Sequence, residues 1–260
     1  MANAVPYSRM IRNNKGSAVD KKVLVVAAHP DDEVIGCGGA IAGHIRKGDE
    51  VFILFMADGV TSRGYDPDEC LTRKEELRKE AAAIDLRKEE CLRAVKVLGV
   101  PAKNILHLSL ADNRMDIYPF LGLVKRIENI KNFFRPNIVY THFGGDLNLD
   151  HRLTNQAVAT AFRLDIYSDD VKILLFEVFE TTRFATLLGF QAFTPDYYFD
   201  IASVLDVKIE ALSCYRSEKR KTPDPRSEKF LRELASSRGH MAGMAAAEAF
   251  MKPIYFREAI

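Results

Sequence analysis

Val23-Leu24-Val25-Val26-Ala27-Ala28-His29-Pro30-Asp31-Asp32-Glu33 runs from apolar residues straight into an imidazole and adjacent carboxylates. The apolar part is rich in valine, follows Lys21-Lys22 and stops before a proline, which predicts a short buried strand over 23–28. A core does not accept three charged or polar groups without a use. In open parallel α/β sheets, ligands sit just beyond the carboxyl ends of strands. The end of this run is therefore where chemistry belongs.

Outward from it, strand-like and helix-like stretches alternate. The pattern predicts strands over 51–56, 105–110 and 138–141, with helices over 37–47, 84–98, 117–134 and 153–162 between and after them. Gly99-Val100-Pro101 and Arg135-Pro136 mark helix ends. Beyond Asp170 the alternation loosens, with strands expected at 173–179 and 197–201 and helices at 204–215 and 228–236. Strands separated by helices of this length imply right-handed crossovers. The fold class expected is α/β, a Rossmann-like, mainly parallel sheet with helices on both faces. A heavily charged stretch around Asp66-Pro67-Asp68 predicts a mobile loop followed by a solvated helix. No internal repeat or linker interrupts the chain, so one domain over 21–260 is expected behind an exposed extension at 1–20.

The 260 residues are 47% hydrophobic and 28% charged, an ordinary globular composition with length for a sizeable core. A formal net charge of +1 gives no reason to expect nucleic acid or an anionic membrane as a bulk electrostatic partner. No stretch approaches the ~20 apolar residues of a membrane span, and no signal peptide is expected. Cys37, Cys70, Cys91 and Cys214 share no CxxC spacing and are too sparse for a disulfide framework, which points to a reducing cytoplasm.

His29 and Asp32, separated by two residues on a strand-to-loop turn, can face one point. A second cluster, Gly144-Gly145-Asp146-Leu147-Asn148-Leu149-Asp150-His151, follows the fourth expected strand. In a doubly wound sheet both clusters share the carboxyl edge. Two imidazoles and a carboxylate make a catalytic zinc set with a fourth position left for water. Asp31 stands beside a ligand without needing to be one, the place of a general base.

Ala28-His29-Pro30-Asp31-Asp32-Glu33 with Gly36-Cys37-Gly38-Gly39 resembles the opening motif of the LmbE-like / PIG-L family of zinc-dependent N-deacetylases. Asp150-His151-Arg152 is similar to that family's second motif, and Arg238-Gly239…Gly243…Ala247-Glu248-Ala249-Phe250 to its closing signature. The resemblance implies a divalent metal, normally Zn2+ with Fe2+ as an alternative, and removal of acetyl from an amino sugar or sugar conjugate. It puts the metal ligands at His29, Asp32 and His151, the base at Asp31, and substrate-binding residues at Arg87 and Asp112. The expected partner is a small amino-sugar molecule, with a soluble nucleotide sugar or a polysaccharide or antibiotic precursor favoured. A homo-oligomer is compatible with the sequence.

The chain departs from the family three residues before the third ligand, where Asn148 replaces a histidine. An amide donates to an oxyanion but delivers no proton at neutral pH. Asp31 then carries both proton transfers, or His142 reaches the pocket and supplies the acid, or the chain binds sugar without turning it over. The first is preferred, with Asn148 as an uncharged oxyanion donor. Asp150 is expected to orient a neighbour. His44, His107 and Cys37 read as structural, His240 as a surface residue, and Phe176, Phe179, Phe184, Phe190 and Phe193 mostly as core or oligomer contacts. A dinucleotide-binding oxidoreductase, suggested by Gly36-Cys37-Gly38-Gly39, is the rival from another class; carboxylates before the glycines would repel a pyrophosphate.

Overall fold

The valine-rich run forms β1 (Lys22–Ala27) at the centre of a seven-stranded sheet. This computed structural model describes residues 21–62, 73–163 and 171–253. The expected 1–20 extension, the Asp66-Pro67-Asp68 loop and Cys70 lie outside them. The other strands are β2 (Glu50–Ala57), β3 (Ile105–Leu110), β4 (Ile138–His142), β5 (Lys172–Phe176), β6 (Tyr197–Asp200) and β7 (Ala247–Met251), in the order β3-β2-β1-β4-β5-β7-β6. The first five are parallel, and β7 runs antiparallel to both β5 and β6. Because β1 pairs with both β2 and β4, strand order reverses beside it, which puts the switch-point crevice at its carboxyl end.

Helices α1 (Asp32–Arg46), α2 (Arg73–Val97), α3 (Phe120–Phe134), α4 (Leu149–Ala161), α5 (Phe179–Thr182), α6 (Leu205–Ser213) and α7 (Glu228–Met241) complete the fold. Alternation along β1 divides the core. Val23, Val25 and Ala27 pack with Ile41, Cys91, Ile209 and Leu231, from α1, α2, α6 and α7. Leu24 and Val26 meet Ile127 of α3 and Val158 of α4 on the other face. The described residues thus build one α/β domain with a mainly parallel sheet covered on both sides. No helix among them is long and apolar enough to cross a membrane.

Several elements differ from expectation. First, α1 starts at Asp32, so the motif's carboxylates form its first turn, and Cys37, the expected start, is instead a break inside it (φ −147°). The glycines around that break are packing devices in mid-helix rather than a phosphate cradle at its start. A Cβ on Gly36 would lie 2.2 Å from the Phe176 ring, and one on Gly39 2.6 Å from Ile201. Second, α2 begins at Arg73, so the solvated helix expected after the Asp66-Pro67-Asp68 stretch and the helix expected at 84–98 are one element. Third, β7 is a strand where Ala-Glu-Ala-Phe-Met gave no strand signal.

Buried and half-buried polar residues brace this frame. His44 Nδ1 lies 2.6 Å from Asp49 Oδ2, and its Nε2 lies 3.0 Å from the Tyr140 hydroxyl. His107 stacks on Phe55 with ring centroids 4.7 Å apart. Burial, with the Lys88 charge adding to it, lowers the His107 imidazole to about 4. Its neutral form therefore stabilises the fold fully above the ordinary value near 6.5, and that contribution drains away as pH falls from there to about 4. His107→Gln is expected to flatten the loss of unfolding free energy across that window relative to wild type, measured by urea melts at stepped pH.

Candidate metal centre

Three chain segments meet beyond the carboxyl ends of the parallel strands. His29, Asp31 and Asp32 follow β1, Asp112 follows β3, and Asp146, Asn148, Asp150 and His151 lie between β4 and the first turn of α4. His29, Asp32 and His151 are buried, each with one ligand atom within 4.8 Å of the others. Asp32 Oδ2 lies 3.2 Å from His29 Nδ1 and 3.3 Å from His151 Nε2.

Each ring is held from behind by carboxylates. His29 Nε2 faces Asp112 Oδ1 at 3.0 Å and Asp150 Oδ2 at 3.1 Å. Asp150 is itself pinned by the Asn113 and Met115 amides, at 2.7 and 3.1 Å. His151 Nδ1 lies 3.2 Å from Asp146 Oδ1. Such carboxylates fix ring orientation and strengthen imidazole as a ligand.

Electrostatics favour a cation here. Burial alone would lower both rings, but hydrogen bonds with Asp112, Asp150 and Asp32 outweigh it and raise His29 well above the usual value. His151 is likewise pushed down by burial yet carried to about 9 by Asp32 and Asp146. The field that draws protons onto these rings draws a metal ion equally, and the ion takes the protons' place. Asp32 Oδ1 is buried with no hydrogen-bond partner, and neither nitrogen of His151 has a bond of good geometry. Unsatisfied buried polar atoms in one spot are costly, and a divalent ion satisfies them together. The residues fit the metal.

Asp31 is only 2% exposed and is not among these converging atoms. Its backbone stands at φ 122°, ψ −28°, a conformation that costs about 1–3 kcal/mol for a residue with a side chain. The Glu33 carboxyl accepts the Asp31 amide at 2.9 Å and, on its other oxygen, the Tyr215 hydroxyl at 2.6 Å. Burial pushes Glu33 up to about 8 against these bonds. The Asp31 carboxyl is pushed up by burial to about 6, with Asp32 adding and Arg226 and Arg87 opposing.

The other expected site residues sit differently. Arg87, 2% exposed, donates to the Pro30 carbonyl at 2.9 Å, pairs with Glu218 and lies 3.8 Å from Asp31 Oδ2. It braces the loop of the motif and does not face open space. Asp112 is spent on His29 and on the Ser62 hydroxyl, which donates at 2.5 Å. His142 is buried with its ring centroid 4.0 Å from that of His151, and its Nε2 accepts the Ala28 amide at 2.8 Å. Burial and the His151 charge hold it well below the usual value, and its Nε2 is spent on the backbone. Asn148 caps α4, its Oδ1 accepting the Asp150 and His151 amides at 2.9 and 3.3 Å. Only its Nδ2–H remains for other work. Asn148→Ala is expected to cost about 1 kcal/mol of stability while Asn148→Asp keeps the cap, as read by urea unfolding.

Two residues near the base carry no local signal. Arg226, on the loop before α7, donates from Nη1 to Asp31 Oδ2 at 2.9 Å, and Glu180 of α5 pairs with its Nε. They lie 195 and 149 residues beyond Asp31 in a chain whose motifs are local, so no spacing finds them. Asp146 stood inside a quoted motif, but its pairing with His151 needs the fold of the loop.

Known proteins resemble this chain in sequence and fold. The chain is 29% identical over 238 residues to diacetylchitobiose deacetylase of Thermococcus kodakarensis, covering 88% of this chain and 81% of the relative. It is 28% identical over 223 residues to 4-oxalmesaconate hydratase of Pseudomonas putida, covering 81% and 78%. The solved structure of N,N'-diacetylchitobiose deacetylase from Pyrococcus horikoshii matches with a TM-score of 0.67 at 25% identity, over 89% of this chain and 83% of that one. The family described as PIG-L: GlcNAc-PI de-N-acetylase matches residues 24–162. That span runs from β1 through α4 and contains the two imidazoles and the carboxylate that converge, so the chain belongs to the PIG-L family.

Proposed function

We propose that this protein is a zinc-dependent hydrolase that removes the acetyl group from the nitrogen of an amino sugar or sugar conjugate. The observation that carries the reading is the buried convergence of His29, Asp32 and His151, with Asp32 Oδ1 left unpartnered and Asp31 alongside. Two imidazole nitrogens and one carboxylate oxygen are the donor set of a catalytic zinc site. The ion, when bound, makes a water acidic near neutral pH and polarises the acetyl carbonyl. Asp31 takes the water's proton and passes it to the departing nitrogen, since His142 has its Nε2 engaged and Asn148 has no proton to give. Asn148 Nδ2–H donates to the oxyanion. Arg87 serves by holding Pro30, and Asp112 by holding His29.

The relatives named as deacetylases support an N-acetylated sugar as substrate. A soluble nucleotide sugar or a polysaccharide or antibiotic precursor is the form we favour. The described cysteines Cys37, Cys91 and Cys214 are free thiols, which supports a reducing cytoplasm. A second reading has one observation behind it. One relative is named a hydratase, and hydration would use the same base: Asp31 would take the water's proton and pass it to carbon, with no amine to expel.

The test is acetate release by zinc-loaded protein from N-acetylglucosamine, N,N'-diacetylchitobiose and UDP-N-acetylglucosamine, with 4-oxalmesaconate as a parallel hydration assay. Acetate from any of the sugars supports the deacetylase. Hydration with no acetate from any sugar replaces it by the second reading.

A further inference from the structure

Arg226 has no part in gripping a cation, yet it is the nearest cationic group to the base. Its root is fixed. The Arg226 amide donates to Asp224 Oδ1 at 2.8 Å, and next to it the Ser227 hydroxyl caps α7 by accepting the Phe230 amide at 3.3 Å. Its guanidinium lies among three carboxylates: Nη1 donates to Asp31 Oδ2 at 2.9 Å and more distantly to Glu218 Oε2 at 3.4 Å, and Nε donates to Glu180. A planar guanidinium held on two edges has no freedom left to swing.

Glu180 is not an isolated partner. The next two residues of α5, Thr181 and Thr182, donate their hydroxyls to Asp146 Oδ2 at 3.0 and 2.7 Å. The other oxygen of Asp146 is the one facing His151 Nδ1. Asp31, Arg226, Glu180, Asp146 and His151 therefore form a continuous bridge from the base to the carboxylate that orients a metal ligand. Arg87, the other cation nearby, is 3.8 Å from Asp31 and already engaged by Pro30 and Glu218.

We propose that Arg226, held by Glu180, is the positioning residue for Asp31, tying Oδ2 so that Oδ1 is the atom turned to the reacting water. This rests on the deacetylase reading. A contact to substrate through Arg226 would act on KM, and a mere staple would act on stability; a positioning role acts on kcat.

Zinc-loaded Arg226→Ala, Arg226→Lys and Glu180→Gln are compared with wild type on N,N'-diacetylchitobiose or N-acetylglucosamine. Arg226→Ala is expected to lower kcat about 10- to 100-fold with KM and zinc content little changed, as for other groups that orient a site from behind. Arg226→Lys and added guanidinium each restore part of it, and Glu180→Gln shows a smaller fall. The proposal is overturned by an unchanged kcat, by a loss carried wholly in KM, or by a loss that guanidinium does not restore and that follows lost zinc. Wild-type protein that holds zinc but releases no acetate defeats the deacetylase reading separately. In that event a thermal-unfolding cycle of Arg226→Ala with Asp31→Ala decides the contact: non-additive shifts support the pairing, and additive shifts overturn it.

Discussion

Zinc-loaded Asp31→Asn protein is expected to release acetate about 10²–10⁴-fold more slowly than wild type while retaining its metal, the range ascribed to a positioned general base. Asparagine has nearly the shape of aspartate, and its amide oxygen still accepts from Arg226 Nη1 in place of Oδ2. What it loses is basicity. The ligand atoms of His29, Asp32 and His151 converge without Asp31, so the metal has no reason to leave. His151→Ala gives the complementary result: it removes one ligand and leaves Asp32 Oδ2 facing a gap, so bound zinc falls along with activity. Metal content by plasma mass spectrometry, read beside the rate, separates the two. An Asp31→Asn protein that turns over near the wild-type rate removes Asp31 from the mechanism.

The largest stability effect is expected at Glu248→Ala, a loss of about 3–5 kcal/mol, because it strands a buried charge. A straight helix would pair the Gly39 amide with the Ile35 carbonyl, but α1 is broken at Cys37. Each half of the break instead meets one half of an ion pair. Glu248 accepts the Gly39 and Ala40 amides at 2.8 and 2.7 Å, and Lys208 Nζ donates to the Ile35 carbonyl at 2.8 Å and to Glu248 at 2.6 Å. Both side chains are buried. Truncating Glu248 leaves two amides and an ammonium unsatisfied together. The double variant Lys208→Met/Glu248→Gln, which removes both charges and keeps an amide oxygen for the helix, is expected to recover much of the loss. Urea unfolding at neutral pH measures both; a cost below about 1 kcal/mol for Glu248→Ala would show that the break repairs itself by other means.

What could be read in the sequence was whatever a short stretch spells out by itself. β1 and its terminal His29, Asp31 and Asp32 are contiguous, and Asp150-His151 follows a recognisable strand, so residue types at short spacing suggested the convergence. The mainly parallel sheet and its coverage on both faces followed from the same alternation. β7 was hidden because alanine and glutamate favour helix, and the strand is held by pairing with β5 and β6. Arg226 and Glu180 were hidden for a related reason: a guanidinium on one loop and a carboxylate on a short helix acquire meaning only from the turn chemistry and packing that bring them to Asp31. Arg87 and His142 were recognisable as residues of the site's neighbourhood, but side-chain direction depends on partners such as Pro30, Glu218 and the Ala28 amide, which the spacing of motifs does not encode.

The splice between Glu248 and α1 joins residues 209 positions apart. A ribosome adding about 5–20 residues per second releases the helix that carries Asp32 some tens of seconds before it supplies the carboxylate that mends it. Until then the nascent helix has a gap in its ladder and the amino-terminal part of the sheet waits unlocked. Ribosome-stalled chains ending short of Glu248 should therefore be open to protease near Cys37, and closure there should coincide with emergence of the last strand.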